Sequence, residues 1–329
     1  MSTPFTTIFD NILSVRYVYK MVGIHPDHPD MKSMTLIENV KSGLLTGITT
    51  RLIVQPLDVL KIRFQLQEEP TIGKKRGKYK NINQAIKTIY KEEGITAFWK
   101  GHIPAQLLSL VYSVVQFTTY HQFAKYFTEI LKEYNRNKEI GDFLAGSLSG
   151  SLSITVTMPL DVIRTRLVAQ GKPKVYKNIY DALEKIYLKE GYSGFYKGLS
   201  ASITQTAPFT GLQFLSYNCL GNIWNKMISN NNSPMGSVIC GTLSGCFSKF
   251  LMYPFDVVRH RMQVLASDRQ GFGKATNHIG MINTFRKILY EESILGLYKG
   301  LVPSILKAGV MAGLSFCSFE LFAKYFQRK

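Results

Sequence analysis

Three prolines carry the same short pattern, and its recurrence constrains this chain more than any other feature. The stretches are "QPLDVLKIRFQ" at 55–65, "MPLDVIRTRLV" at 158–168 and "YPFDVVRHRMQ" at 253–263. Pro56, Pro159 and Pro254 lie 103 and 95 residues apart. A unit of that length is far longer than a solenoid repeat and holds several helices. The downstream half recurs as well: "YKNINQAIKTIYKEEGITAFWKG" at 79–101, "YKNIYDALEKIYLKEGYSGFYKG" at 176–198 and, more distantly, "HIGMINTFRKILYEESILGLYKG" at 278–300. Each unit therefore reads as an apolar helix, the proline motif, a loop, an amphipathic helix, an aromatic-Lys-Gly and a second apolar helix.

Six apolar segments of about 20 residues or more match the length that crosses a bilayer. Arg51, Lys249 and Lys307 lie within them, and intramembrane charge is costly enough to face a bundle interior or a watery cavity. Gly43/Gly47, Gly146/Gly150 and Gly241/Gly245 form GxxxG in each odd-numbered segment, which predicts a shared close-packing role. A soluble helical protein would leave the threefold recurrence unexplained. The expected organisation is a lead-in over 1–34, with one short amphipathic helix, and three repeats at 35–130, 138–229 and 234–327 forming one integral domain.

Charge narrows the partners. Forty Lys and Arg against 22 Asp and Glu leave +18, which favours nucleic acid, a phospholipid surface or a small phosphate ligand. Many of the basic residues sit beside helix ends, where anionic head groups meet them, so no nucleic acid is expected. Cys219, Cys240, Cys246 and Cys317 lack metal spacing and sit in apolar segments, which predicts buried free thiols. The N-terminal stretch has neither an uninterrupted apolar core with a cleavage site nor the Arg-rich, acid-free character of a transit peptide. No grouping in the apolar segments supplies a nucleophile or a metal cluster, so an enzyme is not expected.

A single Asp and base three residues apart on one helix would be an ordinary surface pair worth about 0.2–0.5 kcal/mol. Three copies allow a closed ring: Asp58 with Arg164, Asp161 with Arg259, and Asp256 with Lys61. Such a ring is a gate, and its strength must stay within what a cargo's differential binding can offset. Gln65 and Gln263 would brace it, whereas Val168 stands at that place in the second repeat. The prolines are expected to bend each helix, a defect that membranes tolerate when neighbours satisfy the freed carbonyl.

On these residues the chain resembles the mitochondrial carrier family: the Pro, acidic, basic, basic pattern appears in all three repeats, followed by "EGITAFWKG" and "EGYSGFYKG", and the resemblance covers 36–326. The third copy departs at Ser293, where the pattern has Gly. The resemblance implies an all-α membrane protein with six tilted transmembrane helices around a threefold pseudo-axis. It also implies three short matrix-side helices, a multi-pass place in the inner mitochondrial membrane and alternating access. A second ring on the even-numbered helices is also implied, but "YHQFAK", "YNCLGN" and "FELFAK" keep one acid, Glu320, so the gate on that side should be weak.

Cargo should be read where the threefold pattern breaks. Five residues before each proline stand Arg51, Ile154 and Lys249; seven residues, about two turns, separate Arg51 from Asp58. Seven residues beyond each motif-ending Gly stand Leu108, Gln205 and Lys307, then on the same stripe Tyr112, Phe209 and Met311, and Gln116, Gln213 and Ser315. Helix-to-helix hydrogen bonds account equally well for each Gln, and packing for Tyr112 or Phe209. Three cations suit a di- or polyphosphate, and aromatics with amides suit a heteroaromatic ring.

Longer stretches, "FWKGHIPAQLLSL" at 98–110, "VQF" at 115–117, "DVIRTRLVAQGKPKVY" at 161–176, "GLQF" at 211–214 and "KGLVPSILKA" at 299–308, resemble the branch of the family that moves thiamine pyrophosphate. They imply uptake of that cofactor into the matrix in exchange for nucleotides, with no resident cofactor or metal. Expected partners are the cargo, a counter-substrate nucleotide and membrane lipids such as cardiolipin, around a monomer. The alternative is another phosphorylated cargo: coenzyme A, adenine nucleotides or deoxynucleotides.

Overall fold

The computed structural model describes residues 36–69, 77–133, 138–227, 234–269 and 276–327, and among these every regular element is helical. The expected lead-in over 1–34 lies outside the described residues. Six helices are long: α1 (Leu36–Leu66), α3 (His102–Glu133), α4 (Lys138–Ala169), α6 (Leu199–Met227), α7 (Pro234–Gln263) and α9 (Leu301–Gln327). Three are short and follow the proline helices: α2 (Ile82–Glu93), α5 (Ile179–Glu190) and α8 (Met281–Gly296).

Among the described residues, Phe143–Ala169 and Leu301–Ala323 are apolar enough to cross a membrane by length and composition alone, with mean hydropathy 1.3 and 1.5. All three proline helices carry the charged motif, but α1 and α7 also hold a cation in the preceding apolar stretch, Arg51 or Lys249, where α4 has Ile154. The long helices continue through Pro56, Pro159 and Pro254. Each proline lacks the N–H that would otherwise donate to the carbonyl four residues before it.

The short helices follow from their sequence. Asn81 and Asn178 cap α2 and α5, accepting from Gln84 N at 2.9 Å and Asp181 N at 2.8 Å, as an N-cap should. Apolar side chains four apart, Ala85 with Ile89 and Ala182 with Ile186, are buried, and that spacing gives one apolar face. In the second repeat this face closes a core of Met158, Val162, Ile163, Tyr176 and Phe195. The third repeat builds its counterpart from Tyr253, Val257, Val258, Ile288 and Leu297. Gly94 and Gly191 end α2 and α5 at φ +85° and +64°; Ser293 takes the same conformation at φ +64°. The turn that the missing glycine called into question is thus kept, by a residue that pays about 1–3 kcal/mol of strain for it.

Two sequence expectations change. In the second repeat a Cβ on Gly150 would sit 2.9 Å from Thr206 Cγ2, but on Gly146 it would meet nothing within 4 Å, and on Gly241 or Gly245 only ordinary contacts at 4.0 Å. Close packing therefore belongs to Gly150 rather than to the motif. Of the cysteines Cys240 is buried, whereas Cys219, Cys246 and Cys317 are exposed free thiols. The residues fall into two compact units, one running to Asp58 and including Pro303 onward, the other Val59–Val302.

Candidate functional site

The acids of the proline motif are all buried, at 3% for Asp58 and Asp161 and 8% for Asp256. Arg259 Nη2 lies 2.5 Å from Asp161 Oδ2, and Lys61 Nζ lies 2.5 Å from Asp256 Oδ2. Each is a base of one repeat on an acid of another, the partnership that the ring requires. Asp58 carries Lys307 Nζ at 2.5 Å, so the structure brings a cation expected to meet cargo onto an acid expected to belong to the gate. Asp58 with Arg164 stays a proposal.

The two glutamines differ. Gln263 Nε2 donates to Asp161 Oδ2 at 2.5 Å, and Thr165 Oγ1 donates to Gln263 Oε1 at 2.8 Å, which fixes the amide's orientation. Gln65 Nε2 donates to Tyr253 Oη at 3.0 Å and more distantly to Asp256 Oδ2 at 3.4 Å. Val168 is buried among Val59, Ile62, Leu66, Ala169 and Val264. His260, one residue past Arg259, adds a buried imidazole whose Nδ1 lies 2.8 Å from Asp256 O.

Beside these pairs sits a second ionic layer that the sequence reading assigned to nothing. Arg63, Arg166 and Arg261, two residues beyond each gate base, are 0–1% exposed. Each grips one glutamate with both terminal nitrogens: Arg63 on Glu93, Arg166 on Glu190 and Arg261 on Glu292. The Lys of each aromatic-Lys-Gly joins the same carboxylate: Lys100 on Glu93, Lys197 on Glu190 and Lys299 on Glu292. Burial pushes the Glu93 carboxyl up, yet the Arg63 and Lys100 hydrogen bonds outweigh it and hold it below its ordinary value. Burial also pushes the Lys100 ammonium down in spite of Glu93. The Glu–Lys spacing of seven was visible, but the Arg–Glu spacing of 30, 24 and 31 hid the third member.

These arginines also tie each repeat to the next. Arg63 Nε and Nη2 donate to Val168 O and Gln170 O, Arg166 Nε to Gln263 O, and Arg261 Nε and Nη2 to Gln65 O and Gln67 O. The acceptors are carbonyls at or just past helix C-termini, which have no partner within the helix. The motif-ending glycines close the same cycle: a Cβ on Gly101, Gly198 or Gly300 would stand 2.8–3.0 Å from Arg164 O, Arg259 O or Lys61 O.

The third repeat adds a link of its own. Glu68, 7% exposed, accepts from Arg269 Nη1 at 2.5 Å, Thr276 N at 3.0 Å and Thr276 Oγ1 at 2.9 Å, with His278 Nε2 at 3.3 Å. Burial raises the Glu68 carboxyl, but His278, Arg269 and Thr276 together pull it down to about 2. Lys299 Nζ donates to the carbonyls of Gln67, Glu68 and Glu69 beside it.

Of the other residues expected to meet cargo, Arg51, Lys249, Gln116, Gln205 and Phe209 are half-buried and Gln213 is exposed. Tyr112 packs against the Ile154–Met158 core, and Ser315 Oγ is spent on Met311 O at 2.7 Å. The side chains of Glu320 and Lys324 lie outside the described residues. Among the described residues no three His, Cys, Asp or Glu side chains gather where they could hold a metal.

With this geometry in view, the family model described as "Mitochondrial carrier protein" matches residues 32–131, 136–227 and 230–329. A human protein named "Mitochondrial thiamine pyrophosphate carrier" is 38% identical over 93% of this chain and 97% of its own length. "Mitochondrial thiamine pyrophosphate carrier 1" of Phaeosphaeria nodorum is 36% identical over 85% and 90%. "Mitochondrial thiamine diphosphate carrier 1" of Arabidopsis thaliana is 32% identical over 93% and 99%.

Proposed function

We propose that this chain, which belongs to the mitochondrial carrier family and so is a multi-pass transporter of the inner mitochondrial membrane rather than an enzyme, carries thiamine pyrophosphate into the matrix in exchange for nucleotides. The observation that carries the reading is a cation, Lys307, at the position where the other two repeats have Leu108 and Gln205, together with relatives whose names specify that cargo. Arg51 and Lys249 supply further charge for a pyrophosphate, and Gln116, Gln205, Gln213, Tyr112 and Phe209 supply amides and aromatic faces for a heteroaromatic ring.

Gating follows from the pairs. Asp161 with Arg259, Asp256 with Lys61 and Asp58 with Arg164 hold the matrix side shut, Gln65 and Gln263 brace them, and cargo binding offsets their opening. Exchange follows from charge: moving each negative charge into a matrix held negative costs about 2.3 kcal/mol per 100 mV, and an outgoing nucleotide offsets that. Anionic lipid such as cardiolipin surrounds a monomer.

The test is uptake of labelled thiamine pyrophosphate by the reconstituted protein. Arg51→Ala and Lys307→Ala each lower uptake at least tenfold, and inorganic pyrophosphate inhibits the unaltered protein. Full transport by both variants would reject the site. Coenzyme A, adenine nucleotides and deoxynucleotides are the competing cargoes, and they belong in the same assay.

A further inference from the structure

We propose that Asp58 is a built-in competitor for Lys307 that sets how much negative charge a cargo must bring. The inference rests on the reading above that Lys307 meets the cargo's phosphate. Lys307 Nζ stands 2.5 Å from Asp58 Oδ1, with the lysine side chain 22% exposed and the aspartate 4%. The lysine side chain is therefore partly open to a cargo, whereas the carboxylate is enclosed.

The arrangement is peculiar to one repeat. Leu108 and Gln205 stand where Lys307 does, and neither can form an ion pair with an acid. The acids of the other two repeats are met by gate bases, Asp161 by Arg259 and Asp256 by Lys61. A gate alone asks for three equivalent pairs; a cargo cation resting on one gate acid is an extra feature, and it places charge recognition beside the gate.

A tethered anion competes at high effective concentration, because chain geometry holds it beside its partner. The affinity of any free anion for Lys307 falls by the fraction of time that the lysine is engaged. A neutral or cationic molecule, such as the unphosphorylated vitamin, gains nothing by displacing Asp58. A singly charged anion merely equals it. A diphosphate brings more charge and more acceptor oxygens than one carboxylate, and it reaches Arg51, which lies about two turns before Asp58 on the same helix. An anion that depends on Lys307 alone loses that whole fraction, whereas a diphosphate keeps its hold on Arg51 while Lys307 rests on Asp58 and so loses less; Asp58 thereby weakens small anions most, which is selection by charge.

The test uses the purified full chain and two probes, inorganic pyrophosphate and orthophosphate, whose dissociation constants are measured by calorimetry. Asp58→Asn tightens orthophosphate binding at least tenfold and lowers the preference for pyrophosphate at least fivefold. Asp161→Asn, which removes the gate acid paired with Arg259, changes that preference less than twofold. Equal shifts in both variants, or none in Asp58→Asn, would overturn the proposal. Where Asp58→Asn does not fold, Lys307→Gln is compared with the double variant, which leaves neither charge behind. The added Asp58→Asn then changes the preference less than twofold, and a fivefold change overturns the proposal. Because neither probe is thiamine pyrophosphate, failure of the cargo assignment leaves this result readable: the preference ratio reports on Asp58 whatever the natural cargo.

Discussion

The first two repeats and the third secure the region after their proline helices in different ways. In the first, Gln67 exchanges two hydrogen bonds with the backbone of Tyr79, at 2.7 and 3.0 Å; in the second, Gln170 does the same with Tyr176, at 2.8 and 3.0 Å. Each loop is thus closed by a glutamine of its own repeat, in addition to the bonds it accepts from a neighbouring repeat. The third has Leu265 where those glutamines stand and His278 where the tyrosines stand. Its loop keeps one bond of its own, from Ala266 N to Asn277 Oδ1 at 2.9 Å, and is otherwise fastened from outside, by Glu68 of the first repeat. What stays constant across all three is the buried arginine with its glutamate and lysine. The difference teaches that the clamp is the common fold requirement, while the loop fastening is free to vary and can become a link between repeats.

The strongest way to break that comparison is to remove the common part. Arg63→Ala, Arg166→Ala and Arg261→Ala each leave a buried glutamate without its main partner, and each should cost about 3–5 kcal/mol. Thermal unfolding of the purified variants should show three losses of similar size; one near zero would mean that its clamp is not structural.

Glu68 sharpens the contrast through pH. Its folded-state value of about 2 lies below the ordinary 4.5, so its contribution is complete above the unfolded value and is lost as pH falls from about 4.5 towards 2. Glu68→Gln should flatten the acid limb of a stability profile and leave the slope above pH 6 unchanged. The same steepness in the variant would assign the acid limb to other carboxylates.

The smallest effect concerns Ser293. Replacing it by glycine relieves a left-handed backbone conformation but adds freedom to the unfolded chain, for a net gain of about 1 kcal/mol. A lower melting temperature in Ser293→Gly would show that the serine earns its place by contacts.

Much of this was legible beforehand. The tripled motif fixed the helix order and named the acids and bases, because a spacing repeated three times leaves little freedom. The clamps were not legible, since Arg166 and Glu190 belong to different elements and the loop between them differs in length from its counterparts. Lys307 on Asp58 was hidden for another reason: each residue had a separate assignment, and only the folded positions of α1 and α9 bring the two together. The glycines of the GxxxG pattern misled, because close packing depends on the neighbour, and only Gly150 has Thr206 against it.

The central claim is the cargo and its exchange. Liposomes containing the purified chain, loaded with a nucleotide or left empty, are offered labelled thiamine pyrophosphate, thiamine, coenzyme A and adenine nucleotides. The account predicts rapid uptake of thiamine pyrophosphate into loaded vesicles, little into empty ones and none of thiamine. Equal uptake with and without internal nucleotide would contradict exchange, and preference for another of these compounds would contradict the cargo.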